Sequence, residues 1–180
     1  MQDDNFTIDM LIQKILTTDK QYDLSKIITA YEFAAKAHEG QTRSSGQPYI
    51  IHPLAVSFIL LDLGMDTDTI CAAMLHDVVE DTPTTLDDVK KRFGQDVAML
   101  VDGVTKLNKI PMFNREEQQA ENVRKILLAM SQDIRVMIIK LCDRLHNMRT
   151  LKYRPLAKQR ATALETMNIY APIAHRLGIR

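Results

Sequence analysis

Cysteine is scarce, with two in 180 residues, and both Cys71 and Cys142 sit inside apolar runs of helical period. Two isolated thiols are no disulfide framework. They read as small core residues of a protein kept in a reducing cytoplasm. Net charge is lacking as well. The 23 Lys and Arg offset 23 Asp and Glu, so composition indicates no polyanion-binding surface and no nucleic-acid partner. Long apolar runs are missing: the most apolar stretch, LAVSFILLDLGM, is too short to span a bilayer and carries Asp62. The N-terminal MQDDNFTIDM is acidic, with no basic segment leading into an apolar one, so no signal peptide is expected. Internal repeats, low-complexity tracts and sustained apolar–polar alternation are also absent.

What remains is helical period. The spacing predicts helices over Thr7 to about Leu16, Asp23–His38, Pro53–Leu63 and Asp68 to about Glu80. Further helices are expected over TTLDDVKKRFG, Gln95–Lys106, Arg115–Met130, Asp133–Leu151 and Pro155 to about Leu177. Gly40 and Gly64 act as stop signals, Thr85 with Asp88 resembles a capping box, and Gly94 closes that helix. The fold class is all-α. With 46% hydrophobic residues, the chain can bury one real core. The expectation is a single domain over 1–180, with about 1–20 as an N-terminal helical extension. Lys90, Lys91 and Arg92 read as a solvated helix face, and Met74, Met99, Met137 and Met148 as core filler. The least regular stretch, KLNKIPMFNREEQQ over 106–119, is either a connector or a lid over a site.

The stretch HDVVEDT, 76–82, puts a histidine and three carboxylates directly after the apolar ICAAML. Cores do not accept unpaired charge cheaply, and a metal ion would make the arrangement worthwhile. On one continuous helix His76 sits above Glu80 and Asp77 above Asp81. The alternative is a solvated helix end. A third candidate, His52, precedes Pro53 where a loop meets a helix. A fourth is Asp143 in IIKLCDRLHNMRT. There Ile134, Ile138, Leu141, Leu145 and Met148 form an apolar stripe, beside a polar one of Lys140, Asp143, Asn147, Thr150 and Arg154. That polar stripe reads either as an ordinary solvated face or as a metal carboxylate followed by readers of a ligand. His146 falls on another flank, and His38 and His175 lie near helix ends in capping or packing roles.

The order His52, His76-Asp77, Asp143 resembles the H…HD…D pattern of the HD-domain phosphohydrolases, an all-helical bundle. RSSGQPYIIHP, HDVVEDT, VDGVTKL, KLCDRLHNMRT and APIAHRLGI look like the N-terminal hydrolase domain of the RelA/SpoT alarmone enzymes, from about residue 22 onward. The resemblance implies removal of the 3′-pyrophosphate from ppGpp or pppGpp with Mn²⁺ as cofactor. It assigns His52, His76, Asp77 and Asp143 to the metal, Glu80 and Asp81 to catalysis, and Arg43, Ser45, Asn147 and Thr150 to the guanine nucleotide. Ser44 stands where many members carry a second basic residue. In the long bifunctional members the HRLGIR segment continues into a linker and a synthetase domain, so a longer parent chain is expected. The competing readings are an HD enzyme for another phosphate ester and a non-catalytic module regulating a neighbouring synthetase.

Overall fold

The computed structural model describes residues 6–108 and 132–179. The expected helix over Arg115–Met130 and residues 109–119 of the irregular segment lie outside them. Lys106–Asn108 belong to a helix. The elements are α1 Ile8–Leu16, α2 Leu24–Ala37, α3 Ile51–Asp62, α4 Thr67–Leu75, α5 Val78–Asp81 and α6 Leu86–Phe93. After them come α7 Gln95–Asn108, α8 Ile134–Arg149, a 3₁₀ turn Leu151–Tyr153, α9 Leu156–Glu165, a π-helical turn Thr166–Tyr170 and α10 Ala171–Arg176. Among the described residues the only extended pairing is an isolated bridge between Thr42 and Pro48, so the all-α expectation holds. No helix among them is long and apolar enough to cross a membrane.

α4 is the centre. Ile70 through Leu75 are fully buried, as a helix apolar on every side must be. Its small Cys71, Ala72 and Ala73 let α2, α3 and α7 pack around it. α3 is nearly as enclosed, with His52 to Phe58 all buried. α1 is tied in through Leu11 and Ile15. α7 and α8 cross closely at Gly103, where an added Cβ would stand 2.6 Å from Val136 Cγ2. Thr85 and Asp88 do form a capping box on α6.

Three expectations need correction. The helix predicted over Asp68–Glu80 is two helices, broken at His76-Asp77. The cause is local: His76 Nδ1 lies 2.7 Å from the Ala73 carbonyl, the acceptor that a continuous helix would give to the Asp77 N–H. α5 then ends at Thr82, extended at φ −137° and ψ 168°, as a residue before proline prefers. Secondly, the stripe of α8 beginning at Ile134 is only partly its core face: Leu141 is buried and Ile138 packs on the core, but Ile134 and Leu145 are exposed, whereas Lys140, Asp143 and His146 are buried. Lastly, Met99 is 38% exposed, so it is not core filler, while Met74 and Met137 are.

Candidate metal centre

Four elements deliver the cluster. α3 brings His52 in its first turn, α4 ends on His76, the break supplies Asp77, and α8 contributes Asp143. All four residues are buried. His52 Nε2 lies 3.1 Å from Asp143 Oδ1 and 3.8 Å from Asp77 Oδ2. His76 Nε2 lies 3.2 Å from Asp77 Oδ1 and 4.0 Å from Asp143 Oδ1. The ligand atoms of His52, His76 and Asp143 fall within 4.8 Å of one another.

A divalent cation fits this donor set, and His76 gives the test. Its Nδ1–H donates to the Ala73 carbonyl, which leaves Nε2 as the lone-pair nitrogen. That Nε2 is buried and makes no hydrogen bond. An orphaned acceptor between two carboxylates costs free energy in the bare protein, and a cation bound among the three would relieve it. Two imidazoles with two carboxylates suit a first-row divalent metal.

Supporting groups surround these four side chains. Lys140 Nζ donates to Asp143 Oδ2 at 2.6 Å, and Asn147 Nδ2 donates to Asp143 Oδ1 at 2.5 Å. Burial works to raise the Asp143 pKa, but Lys140 and His52 hold it well below the usual carboxylate range. Asp77 is likewise lowered against burial by His76, His52 and the Tyr49 hydroxyl. His146, which the sequence placed on another flank, faces inward, with its Nδ1 2.7 Å from His52 Nδ1. Burial and then His52 and Arg43 lower His146 to about 3, so it is neutral and can accept the proton of a metal-ready His52. The signal for His146 was present: three residues after Asp143 is the adjacent position on a helix.

The nucleotide candidates lie on the same side. A cavity is walled by Arg43, Ser45, Tyr49, His52, His146 and Thr150, among others, so it opens on the cluster. Arg43 to Gln47 form a tight hairpin: Arg43 N–H donates to the Gln47 carbonyl at 2.9 Å. Gly46 turns it at φ 84°, where L side chains are strained. Arg43 Nη2 donates to Asn147 Oδ1 at 2.7 Å, so Asn147 links the pocket cation to Asp143. Thr150 Oγ1 donates to the His146 carbonyl. Glu80 and Asp81 are exposed, and Asp81 reaches the site through the Tyr49 hydroxyl, 3.0 Å from its Oδ2. They are not aligned above His76 and Asp77 on one helix, because the break intervenes.

The HD domain family profile matches residues 30–180. The chain belongs to the HD domain family. Within that family, it is 53% identical over 173 residues to the bifunctional (p)ppGpp synthase/hydrolase SpoT of Escherichia coli K12, covering 96% of this chain and 24% of that protein. It is 58% identical over 150 residues to the guanosine-3′,5′-bis(diphosphate) 3′-pyrophosphohydrolase of Vibrio cholerae, covering 83% and 21%. The GTP pyrophosphokinase of Streptomyces coelicolor is 55% identical over 156 residues, covering 87% and 18%. The chain thus spans about a quarter or less of the length of these relatives. A solved structure of a metazoan ortholog of SpoT, reported to hydrolyze ppGpp, aligns with a TM-score of 0.64 at 25% identity, over 89% of this chain and all of that one. The resemblance to RelA/SpoT enzymes read from the motifs is borne out.

Proposed function

We propose that this HD domain removes the 3′-pyrophosphate of ppGpp and pppGpp, yielding GDP or GTP and pyrophosphate, with Mn²⁺ as its cofactor. The observation that carries the reading is the buried His52, His76, Asp77 and Asp143 cluster, with its orphaned His76 nitrogen, opening onto a cavity that holds Arg43. The pyrophosphohydrolase names of the Vibrio cholerae relative and the ppGpp hydrolysis reported for the metazoan ortholog support the substrate. The pyrophosphokinase chemistry of the other relatives is not assigned to these residues; a synthetase domain would lie elsewhere in a longer parent chain. The unpaired Cys71 and Cys142 suit the cytoplasm, with burial pushing both thiols up to about 12.

In this reading Arg43 offsets phosphate charge and Ser45, Asn147 and Thr150 line the path of the nucleotide. Glu80 and Asp81 orient the attacking water and accept its proton. Held by His52, His76, Asp77 and Asp143, a divalent cation would supply Lewis acidity toward a phosphoryl oxygen and would lower the pKa of nearby water. Release of GDP and pyrophosphate from ppGpp by metal-stripped protein, with and without Mn²⁺, tests the proposal. Glu80→Ala is expected to keep the metal and lose about 10²–10⁴-fold in turnover. Metal-loaded protein that leaves ppGpp intact would sink the substrate assignment.

A further inference from the structure

Tyr49 entered no expectation drawn from the sequence, yet its hydroxyl stands between the two halves of the site. It lies 2.8 Å from Asp77 Oδ2 and 3.0 Å from Asp81 Oδ2. One of those carboxylates belongs to the metal cluster and is buried; the other is exposed on the single turn of α5. A phenol carries one proton, so a single O–H spans two carboxylate groups. The ring itself is held in place. His38 stacks on it with centroids 4.5 Å apart and planes 21° apart, and His38 Nδ1 is 2.9 Å from Gln41 Oε1. Gln41 in turn donates to the Asp81 carbonyl at 3.0 Å, and its own carbonyl accepts the Tyr49 N–H at 3.0 Å. His38, Gln41 and Tyr49 therefore clamp the end of α5 onto the hairpin.

The geometry points to Tyr49 as a positioning residue that ties Asp81 to the metal ligand Asp77 and so sets the separation of acid and cation. A solvent-facing aspartate on a one-turn helix samples several rotamers, and few of them reach the reacting water. The Tyr49 hydroxyl selects one. The same hydrogen bond fixes the carboxylate plane of Asp77, the kind of outer support whose loss weakens metal binding about 10–100-fold. Only the kinetic part of this inference rests on the proposed hydrolysis.

Tyr49→Phe removes one oxygen and keeps the stacked ring. Titration of metal-stripped protein with Mn²⁺, followed by the electron paramagnetic resonance of the free ion, is expected to show affinity lowered about tenfold or more. With ppGpp at saturating Mn²⁺, kcat is expected to fall while KM stays within about twofold of wild type. The deciding comparison is a double-mutant cycle with Asp81→Asn. If Tyr49 acts through Asp81, adding Tyr49→Phe to Asp81→Asn costs little further kcat. A full multiplicative loss in that background, or wild-type Mn²⁺ affinity in Tyr49→Phe, would overturn the assignment. Wild-type protein inert toward ppGpp would refute the hydrolase reading instead, and the metal titration would still decide the role of Tyr49.

Discussion

Replacing Asp143 with alanine should have two separable consequences, one for the metal and one for the fold. Asp143 is 4% exposed, and its carboxylate is the hydrogen-bonding partner of Lys140 Nζ, in a residue itself 8% exposed. Burial disfavours the Lys140 charge, yet Asp143 holds its pKa above the ordinary value. Asp143→Ala therefore strands an ammonium in the core, and breaking a buried pair in this way costs about 3–5 kcal/mol. For a domain of this size that corresponds to a melting temperature lowered by roughly 6–20 °C. Lys140→Met in the same chain removes the stranded charge, so most of the loss should return, because apolar replacement of a whole buried pair is often neutral. Metal binding should not return. Thermal melts of the metal-free proteins and Mn²⁺ titrations on all four members of the cycle provide the measurement. Normal metal affinity in the double variant would remove Asp143 from the ligand set. A single Asp143→Ala variant as stable as wild type would refute the account of Lys140.

Acid should destabilise the metal-free protein. His146 titrates at about 3 in the fold against 6.5 in its ordinary state, so the unfolded chain binds more protons between those values and stability falls as pH drops through that window. From His146 alone, stability at pH 5 should be ~2 kcal/mol below that at pH 7; Asp143, lowered below 3.8, adds its own loss in stronger acid. Equal urea midpoints at the two pH values would contradict this. At the α7–α8 crossing, Gly103→Ala places a Cβ 2.6 Å from Val136 Cγ2. It should destabilise by about 1–2 kcal/mol despite the better helix propensity of alanine. Val136→Ala should recover most of that, read as strong non-additivity in denaturant unfolding.

The legible parts of the sequence were those where local chemistry and global structure agree. The α6 capping box, the glycine that closes α6 and the apolar α4 follow from nearest neighbours and burial. His52, His76, Asp77 and Asp143, which the resemblance to the HD enzymes assigns to a metal, lie in one buried cluster. The misread parts are those where the site overrides pattern. Periodicity alone leaves the polar stripe of α8 open between a solvated face and a ligand site; burial of Lys140, Asp143 and His146 decides it, because charged groups are gathered there. The break after α4 was hidden because a side chain, not a glycine or proline, takes the backbone acceptor. Tyr49 was overlooked because its partners lie 28 and 32 residues away, beyond any local pattern.

The hairpin that carries Arg43 closes its backbone hydrogen bonds on itself, through Arg43 to Gln47, Gly46 to Arg43 and Tyr49 to Gln41. Its tip, residues 44–47, is in effect an interchangeable cassette, whereas Gln41, Arg43 and Tyr49 at its base bond to Asp81, Asn147 and Asp77 around the buried cluster. Swapping Ser44 to Gln47 for the matching residues of another HD protein should retune which phosphorylated compound is admitted, while the cation site inherits no change. New specificities are thus reachable through a surface loop a few residues long, without reopening the core.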